Sequence, residues 1–381
     1  MSAKTVAAEA IAALAEYFAA LPDPRIERCR RHKLIDIVTI AICSALCGGE
    51  GFTDIEEFGH ARQEWLATFL ELPQGIPSHD TFGRVFARLS PVGFEACFAR
   101  WVNVSVKKLS GEVVSLDGKR ARHSYDKAAG KEAIELVSAW AREQRLTLGQ
   151  VKVAPDSNEI TAVPELLKVI EIEGAVVTVD ALNTQKEIAA QIRAKRADYV
   201  MALKGNHGGL KKEVAALCQA IKEDRTYGYH SETHRTIDKE HGRIETRLCW
   251  HVELPFERLS EGHRWTDLRS VAMLEATREV GDKVSREVRY YLSSLEVNAA
   301  KMNEIIRGHW SIENSCHWVL DVVFREDDSR VRVGHAAQNL ALVRKLALSM
   351  LNREKSCKRG VKIKRFKAAL DLQYLLKILR N

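Results

Sequence analysis

The stretches VVSLDGKR at 113–120 and GAVVTVDALNTQ at 174–185 decide how this chain reads. Each opens with a short apolar run rich in β-branched residues and turns polar at an acid, Asp117 in the first and Asp180 in the second. Runs of this kind read as strands buried on both faces. A carboxylate at the end of such a strand is costly unless it is paired or binds a cation. Either acid taken alone would equally serve as a cap for the turn or helix after it.

Working outward, residues 134–141 and 146–153 are two more strand-like runs joined by a polar turn at 142–145. Thr161 is placed to cap a helix over 162–170, with Pro164 tolerated in its first turn. A helix over 184–195 and a strand over 199–203 follow. Three strands, helix, strand, helix, strand is the order of the ribonuclease H topology, an α/β fold. In that topology the first strand is central and the fourth lies beside it, which brings Asp117 and Asp180 within a few ångströms. Two adjacent carboxylates need a cation between them, and hard oxygen donors suit Mg²⁺ or Mn²⁺.

The first 110 residues read as helical, with segments at 6–20, 34–46, 54–69, 81–89 (capped by Ser78, His79 or Asp80) and 91–109. Beyond 210 comes a helix at 211–223, then strand-like pieces at 227–236, 242–252, 268–278 and 284–292. Helical periodicity returns over 298–324 and 336–351. The expected domains are therefore an all-α region at 1–110, a ribonuclease H-like core at 111–210 and 297–351, a mainly β insertion at 211–296 and a basic tail at 352–381. Residues 352–381 hold ten Lys or Arg against Glu354 and Asp371, a net charge of +8 in a chain whose total is +7. A basic tail on a near-neutral body points to a polyanionic partner.

Several classes drop out. The longest uncharged apolar run, 37–47, is far shorter than the roughly 20 residues of a membrane span. The N-terminus has Glu9 and Glu16 where a signal peptide needs an unbroken apolar core. Eight cysteines without a CxxC pair make neither a disulfide framework nor a zinc ribbon, so a cytoplasmic protein is expected.

A third acid stands out in RGHWSIENSCHWVLDVVFREDD at 307–328. At helical spacing His309, Glu313, His317 and Asp321 share one stripe, while Trp310 and Trp318 are expected in the core. In a two-metal site on phosphate, Asp117 would bridge the ions, Asp180 would hold one and Glu313 the other. A zinc site on the His/Glu stripe is the competing reading, without an HExxH motif to support it. Glu326, Asp327 and Asp328 are a rival source of the third acid. Lys119, Arg120 and Arg122 after the first strand, and Lys204, Asn206 and His207 after the last, are placed to meet phosphates.

The strings GIPSHDTFGRVF (75–86), SLDGKRAR (115–122), SNEITAVPELL (157–167), VVTVDALNTQ (176–185), YVMALKGNH (199–207) and RGHWSIENSCHWVLDVVFREDD resemble the insertion-sequence DDE transposases of the H-repeat-associated group. The resemblance runs in order from about residue 20 to residue 350. It implies a ribonuclease H-like core with a β insertion, and a catalytic, metal-binding triad at Asp117, Asp180 and Glu313 served by Mg²⁺ or Mn²⁺, two ions in all. It implies nicking at the ends of an insertion element and transfer of the 3′-hydroxyl into target DNA. The partners are then the element's terminal repeats and target DNA, both double-stranded, with a homodimer holding the two ends and a nucleoid location. The wider group's Tyr–Arg–Glu–Lys signature is absent: its positions hold Ile306, His309 and Leu320 around the Glu. The expected DNA contacts are Lys119, Arg120, Arg122, Lys204, Asn206, Arg307, His309 and His317. The alternatives are a silent DNA-binding protein derived from a transposase, or a structure-specific nuclease on the same fold.

Overall fold

The structure, a computed structural model, describes residues 14–127, 130–223, 228–240, 242–254 and 259–380. Residues 1–13, which hold much of the helix expected over 6–20, lie outside that set. Two units result: Met1–Lys107, Gly118–Pro155 and Glu313–Asn381 form the first, Lys108–Asp117 and Asp156–Ile312 the second. It is a mixed α/β protein with a helical N-terminal region and a large mixed sheet.

Along the chain, α1 (Leu34–Leu46) coincides with the expected buried helix. The single helix expected over 54–69 is broken: α2 (Phe52–Ala61) stops at Arg62, whose φ is −121°, and a four-residue turn, Gln63–Leu66, follows. Ser78 caps α3 (His79–Arg88) by accepting a hydrogen bond from the Thr81 amide. Ser90 caps α4 (Pro91–Ser105) in the same way, with Pro91 in the first turn where no amide is needed. Next come β1 (Val113–Arg120), β2 (Glu135–Ala141), β3 (Leu146–Lys152), α5 (Glu159–Val169), β4 (Val176–Val179), α6 (Lys186–Ala194) and β5 (Asp198–Leu203). The cap of α5 is Asn158, which accepts from the Ile160 amide, and the Thr161 hydroxyl instead donates to the Asn158 carbonyl.

After α7 (Gly208–Lys222) the chain makes four long strands, β6 (Ser231–Glu240), β7 (Arg243–Glu253), β8 (Ser270–Val280) and β9 (Lys283–Ser293). The helix expected over 298–324 is interrupted. Asn298 caps α8 (Ala299–His309), a π-helical segment covers Glu313–His317, and α9 (Trp318–Val322) is short. The break undoes the expected stripe of His309, Glu313, His317 and Asp321. It also takes Trp310 and Trp318 out of the core: they are 38% and 57% exposed. Three helices finish the chain, α10 (Ala336–Arg353), α11 (Val361–Leu370) and α12 (Leu372–Arg380).

In the first unit, α10 is the hub. It is buried on every side from Ala336 to Asn352, with polar residues such as Gln338, Asn339, Arg344 and Lys345 buried along with the apolar ones. It packs on α1, α3, α4 and β3. β2 and β3 form an antiparallel hairpin with a register shift at Ala139/Trp140. The segment 352–380 is folded, and part of its charge is spent inside. Lys364 donates to the Leu351 and Glu354 carbonyls at 2.7 and 2.5 Å. Arg365 donates to the carbonyls of Ala45, Gly49 and Val323, with its guanidinium 4.1 Å from the Phe324 ring centroid.

In the second unit the strand order is β1-β4-β5-β9-β8-β7-β6. β1, β4 and β5 are parallel, and every pairing from β5–β9 onward is antiparallel. The four late strands therefore extend the same sheet, with β6 as its last strand. Met302, Ile305 and Ile306 of α8 pack against Val113, Val176, Val200, Leu274 and Tyr291 of the sheet.

Candidate active site

Sheet register brings two of the predicted acids together. β1 and β4 are aligned Val113↔Val176, Val114↔Val177 and Ser115↔Thr178. Carrying that register on by two residues sets Asp117 level with Asp180, on strands about 4.8 Å apart. Side chains alternate along a strand, so Ser115 and Asp117 share a face, as do Thr178 and Asp180. Both acids are half-buried.

The turn after β4 fixes Asp180. Its Oδ1 accepts from the Asn183 amide at 3.0 Å and from Asn183 Nδ2 at 3.1 Å. Asn183 is fully buried and also donates to Glu159 Oε2 at 2.8 Å, which ties the turn to the first residue of α5. Thr184 Oγ1 lies 2.6 Å from the Ala202 carbonyl and 2.9 Å from that of Asp180. Asn206 donates to the Ala181 carbonyl at 2.6 Å, and His207 Nε2 lies 2.7 Å from the Thr184 carbonyl. Asn206 and His207, expected on phosphate, are thus braces for the Asp180 turn.

Behind the two acids sits His309, the last residue of α8. Its Nδ1 lies 2.9 Å from Thr178 Oγ1, which lies 3.2 Å from Ser115 Oγ. With Thr178 donating to Ser115, His309 donates through Nδ1. Burial pushes its pKa down to about 4, against a raising influence of Asp180, with Arg289 adding to the fall. The imidazole is therefore neutral near pH 7.

Glu313 opens the π-helical segment of the first unit with its side chain exposed, and partial desolvation raises its carboxyl pKa. Eight residues on, Asp321 meets Lys119. The Lys119 ammonium is 2.6 Å from Asp321, 3.3 Å from Glu326 and 3.3 Å from Asp327, and its side chain is 9% exposed. Burial alone would lower the Lys119 pKa, but Glu326, Asp321 and Asp327 together raise it. The rival acids Glu326 and Asp327 are thereby partners of Lys119. His317 is buried in the same unit, and burial, helped by Lys345 and Lys119, pushes its pKa down to about 3.

The cations and polar groups expected on phosphate therefore divide. Lys119, His309 and His317 are engaged inside the protein. Lys204, Arg120 and Arg122 are exposed, the last two in ion pairs with Glu132 and Asp327, and Arg307 pairs with Asp238. The residues that sequence reasoning missed are Ser115, Thr178, Asn183 and Thr184. Asn183 and Thr184 had a signal, since an Asn–Thr pair just after a strand-end acid is typical turn chemistry.

Among the described residues no group of three or more His, Cys, Asp or Glu side chains is gathered as a metal cluster. The donor chemistry at Asp117 and Asp180 nonetheless fits a hard divalent cation: two adjacent carboxylates, one held by a buried amide.

Residues 102–350 match the family Transposase DDE domain, and residues 15–102 match the family DDE_Tnp_1-associated. The "Putative transposase YncI" of Escherichia coli O157:H7 is 38% identical over 374 residues, 97% of this chain and 95% of its own length. The "H repeat-associated putative transposase YhhI" of Escherichia coli K12 is 37% identical over 96% of this chain and 97% of its own length. The "Inactive transposase YbfQ" of the same strain is 39% identical over 75 residues, 20% of this chain.

Proposed function

The chain belongs to the DDE transposases, in the H-repeat-associated group, and from that premise we propose that it nicks DNA at the ends of an insertion element and joins the freed 3′-hydroxyl to target DNA. The observation that carries the proposal is the register that sets Asp117 level with Asp180, with Asp180 oriented by Asn183. The parallel order β1-β4-β5 supports a ribonuclease H-like core around those acids.

Asp117, Asp180 and Glu313 would hold Mg²⁺ or Mn²⁺, two ions in this reading. Such ions, when bound, acidify an attacking water or hydroxyl and stabilise a leaving oxygen. The protein's own groups do the rest. Asn183 keeps one Asp180 oxygen occupied and leaves the other for a ligand. Neutral His309 holds Thr178 without adding a positive charge behind the acids. Lys204, Arg120, Arg122 and Arg307 offer charge to phosphates, so DNA binding should weaken steeply with salt. A homodimer gripping both element ends, at the nucleoid in the cytoplasm, completes the reading. No helix among the described residues is long and apolar enough to cross a membrane.

The test is Mg²⁺-dependent cleavage and strand transfer on a labelled fragment carrying the flanking DNA of the protein's own gene. Wild type should give joined products, and Asp180→Asn should bind the fragment without cutting it. Breaks without joining would make the protein a nuclease. Binding without cleavage by wild type would make it a silent DNA-binding protein, and equal cleavage by both would remove Asp180 from the site.

A further inference from the structure

The first unit contains a groove of about 700 Å³ between α3 and the residues that lead into α10. Arg84 and Arg88 of α3 line one wall, and Arg330 and Arg332 line the other. Asp80 is the one carboxylate among the lining residues. Arg84, Arg88 and Arg330 make no ion pair among the described residues. Arg332 donates to the His123 carbonyl at 3.2 Å and lies 5.0 Å from the Tyr125 ring centroid, contacts that orient it without neutralising it. Four arginines lining one groove leave it strongly positive, and an anion lowers that mutual repulsion.

The groove is built in advance. Lys131 Nζ donates to the Arg332 carbonyl at 2.5 Å and to the Gly334 carbonyl at 3.1 Å. The His335 amide donates to the Ala87 carbonyl at 3.0 Å, which pins the loop to α3. Gly334 makes that approach possible: its φ is +53°, and a Cβ there would sit 2.3 Å from the Ala87 oxygen. The backbone of that wall is therefore held in place without a ligand.

The spacing identifies the anion. Arg84 and Arg88 stand one helical turn apart, about 6 Å along the axis. Arg330 and Arg332 alternate with Val331 and Val333, and Val333 is 73% exposed. A lone phosphate would need one such pair. Two spaced rows on facing walls suit a run of phosphates, as one strand of a duplex presents.

We propose that this groove holds the phosphate backbone of double-stranded DNA, through Arg84, Arg88, Arg330 and Arg332. The choice of DNA as the polyanion rests on the transposase reading.

The experiment is fluorescence anisotropy with the full-length protein and two labelled duplexes, one from the gene's flank and one unrelated, between about 50 and 200 mM salt. The test variant is Arg84→Ala with Arg330→Ala. The control is Lys168→Ala with Arg196→Ala, which removes equal charge from two exposed positions elsewhere. The test variant should bind both duplexes about 10–100-fold more weakly, and its log K against log salt slope should be shallower by about 2. The control should keep the wild-type slope. A test variant with wild-type affinity and slope, or a control that loses as much, overturns the proposal. Strand transfer with the same proteins keeps the two readings separate. Joining abolished by Asp180→Asn alongside groove-independent binding removes the groove and leaves the transposase. Groove-dependent binding with no joining by wild type does the reverse.

Discussion

Lys119→Met takes the cation out of a cluster of three carboxylates and leaves a side chain of similar length in its place. Lys119 is 9% exposed and Glu326 3%, so water cannot take over the lost contacts without opening the structure. Removing one member of a buried ion pair costs about 3–5 kcal/mol. Asp321 and Asp327 keep 30% and 21% exposure, and Arg122 still pairs with Asp327 at 3.2 Å. Those facts place the loss near the lower end, about 3 kcal/mol. With a urea m-value of about 3 kcal/mol/M, the unfolding midpoint should fall by about 1 M. The pH dependence has a definite sign. The Lys119 pKa is raised in the fold, so the lysine itself stays charged below the ordinary lysine range and loses its contribution by deprotonation only above it. In the variant the uncompensated carboxylates take up protons more readily, so the deficit should shrink as pH falls from 7.5 toward 5. Urea midpoints for both proteins at the two pH values are the assay. A deficit under about 1 kcal/mol at pH 7.5 would refute the buried-cluster reasoning, as would one that stays constant with pH.

Two further outcomes follow from the second unit. Asn183→Ala removes two of the hydrogen bonds on Asp180 Oδ1 or its neighbour Glu159, and should raise the Mg²⁺ concentration for half-maximal cleavage about 10–100-fold; an unchanged metal titration would show that the brace is idle. His309, with its pKa down at about 4, is a group that the unfolded chain protonates first. Its contribution to stability is present above about pH 6.5 and is lost as pH falls toward 4, at up to about 1.4 kcal/mol per pH unit. His309→Gln should flatten that part of the stability–pH curve, and a curve parallel to wild type would contradict it.

The core strands were legible because their signal is local. Residues 113–116 and 176–179 are apolar and β-branched, and the acids that follow them mark where burial ends. Register did the remainder, since parallel neighbours of this kind align Ser115 with Thr178 and so Asp117 with Asp180. What was not legible depends on partners far away in the chain. Lys119 reads as a surface cation until Asp321, Glu326 and Asp327, some 200 residues later, close around it. Asn158 and Thr161 are both cap-forming residue types, and spacing alone did not choose between them. The break of the helix at Arg62 and the π segment at Glu313–His317 carry no Gly or Pro at the break itself, so periodicity ran straight through both. Trp310 and Trp318 followed that false period into an imagined core. The tail read as a basic segment for a polyanionic partner because charge counting cannot see that Lys364 and Arg365 donate to backbone carbonyls.

The sheet's last strand, β6, has consequences for how copies of this protein behave in a crowd. Among the described residues its outer edge has no strand beside it, the kind of open backbone ladder that recruits other chains. Its sequence, SETHRTIDKE, puts charges of both signs on that strand, with Glu232 accepting from the Ala299 amide and Asp238 paired with Arg307. An incoming strand would have to match charges of both signs at fixed intervals or bury them unmatched, and a chance partner does neither. The pattern acts as a gatekeeper against runaway sheet extension when many copies meet at high concentration.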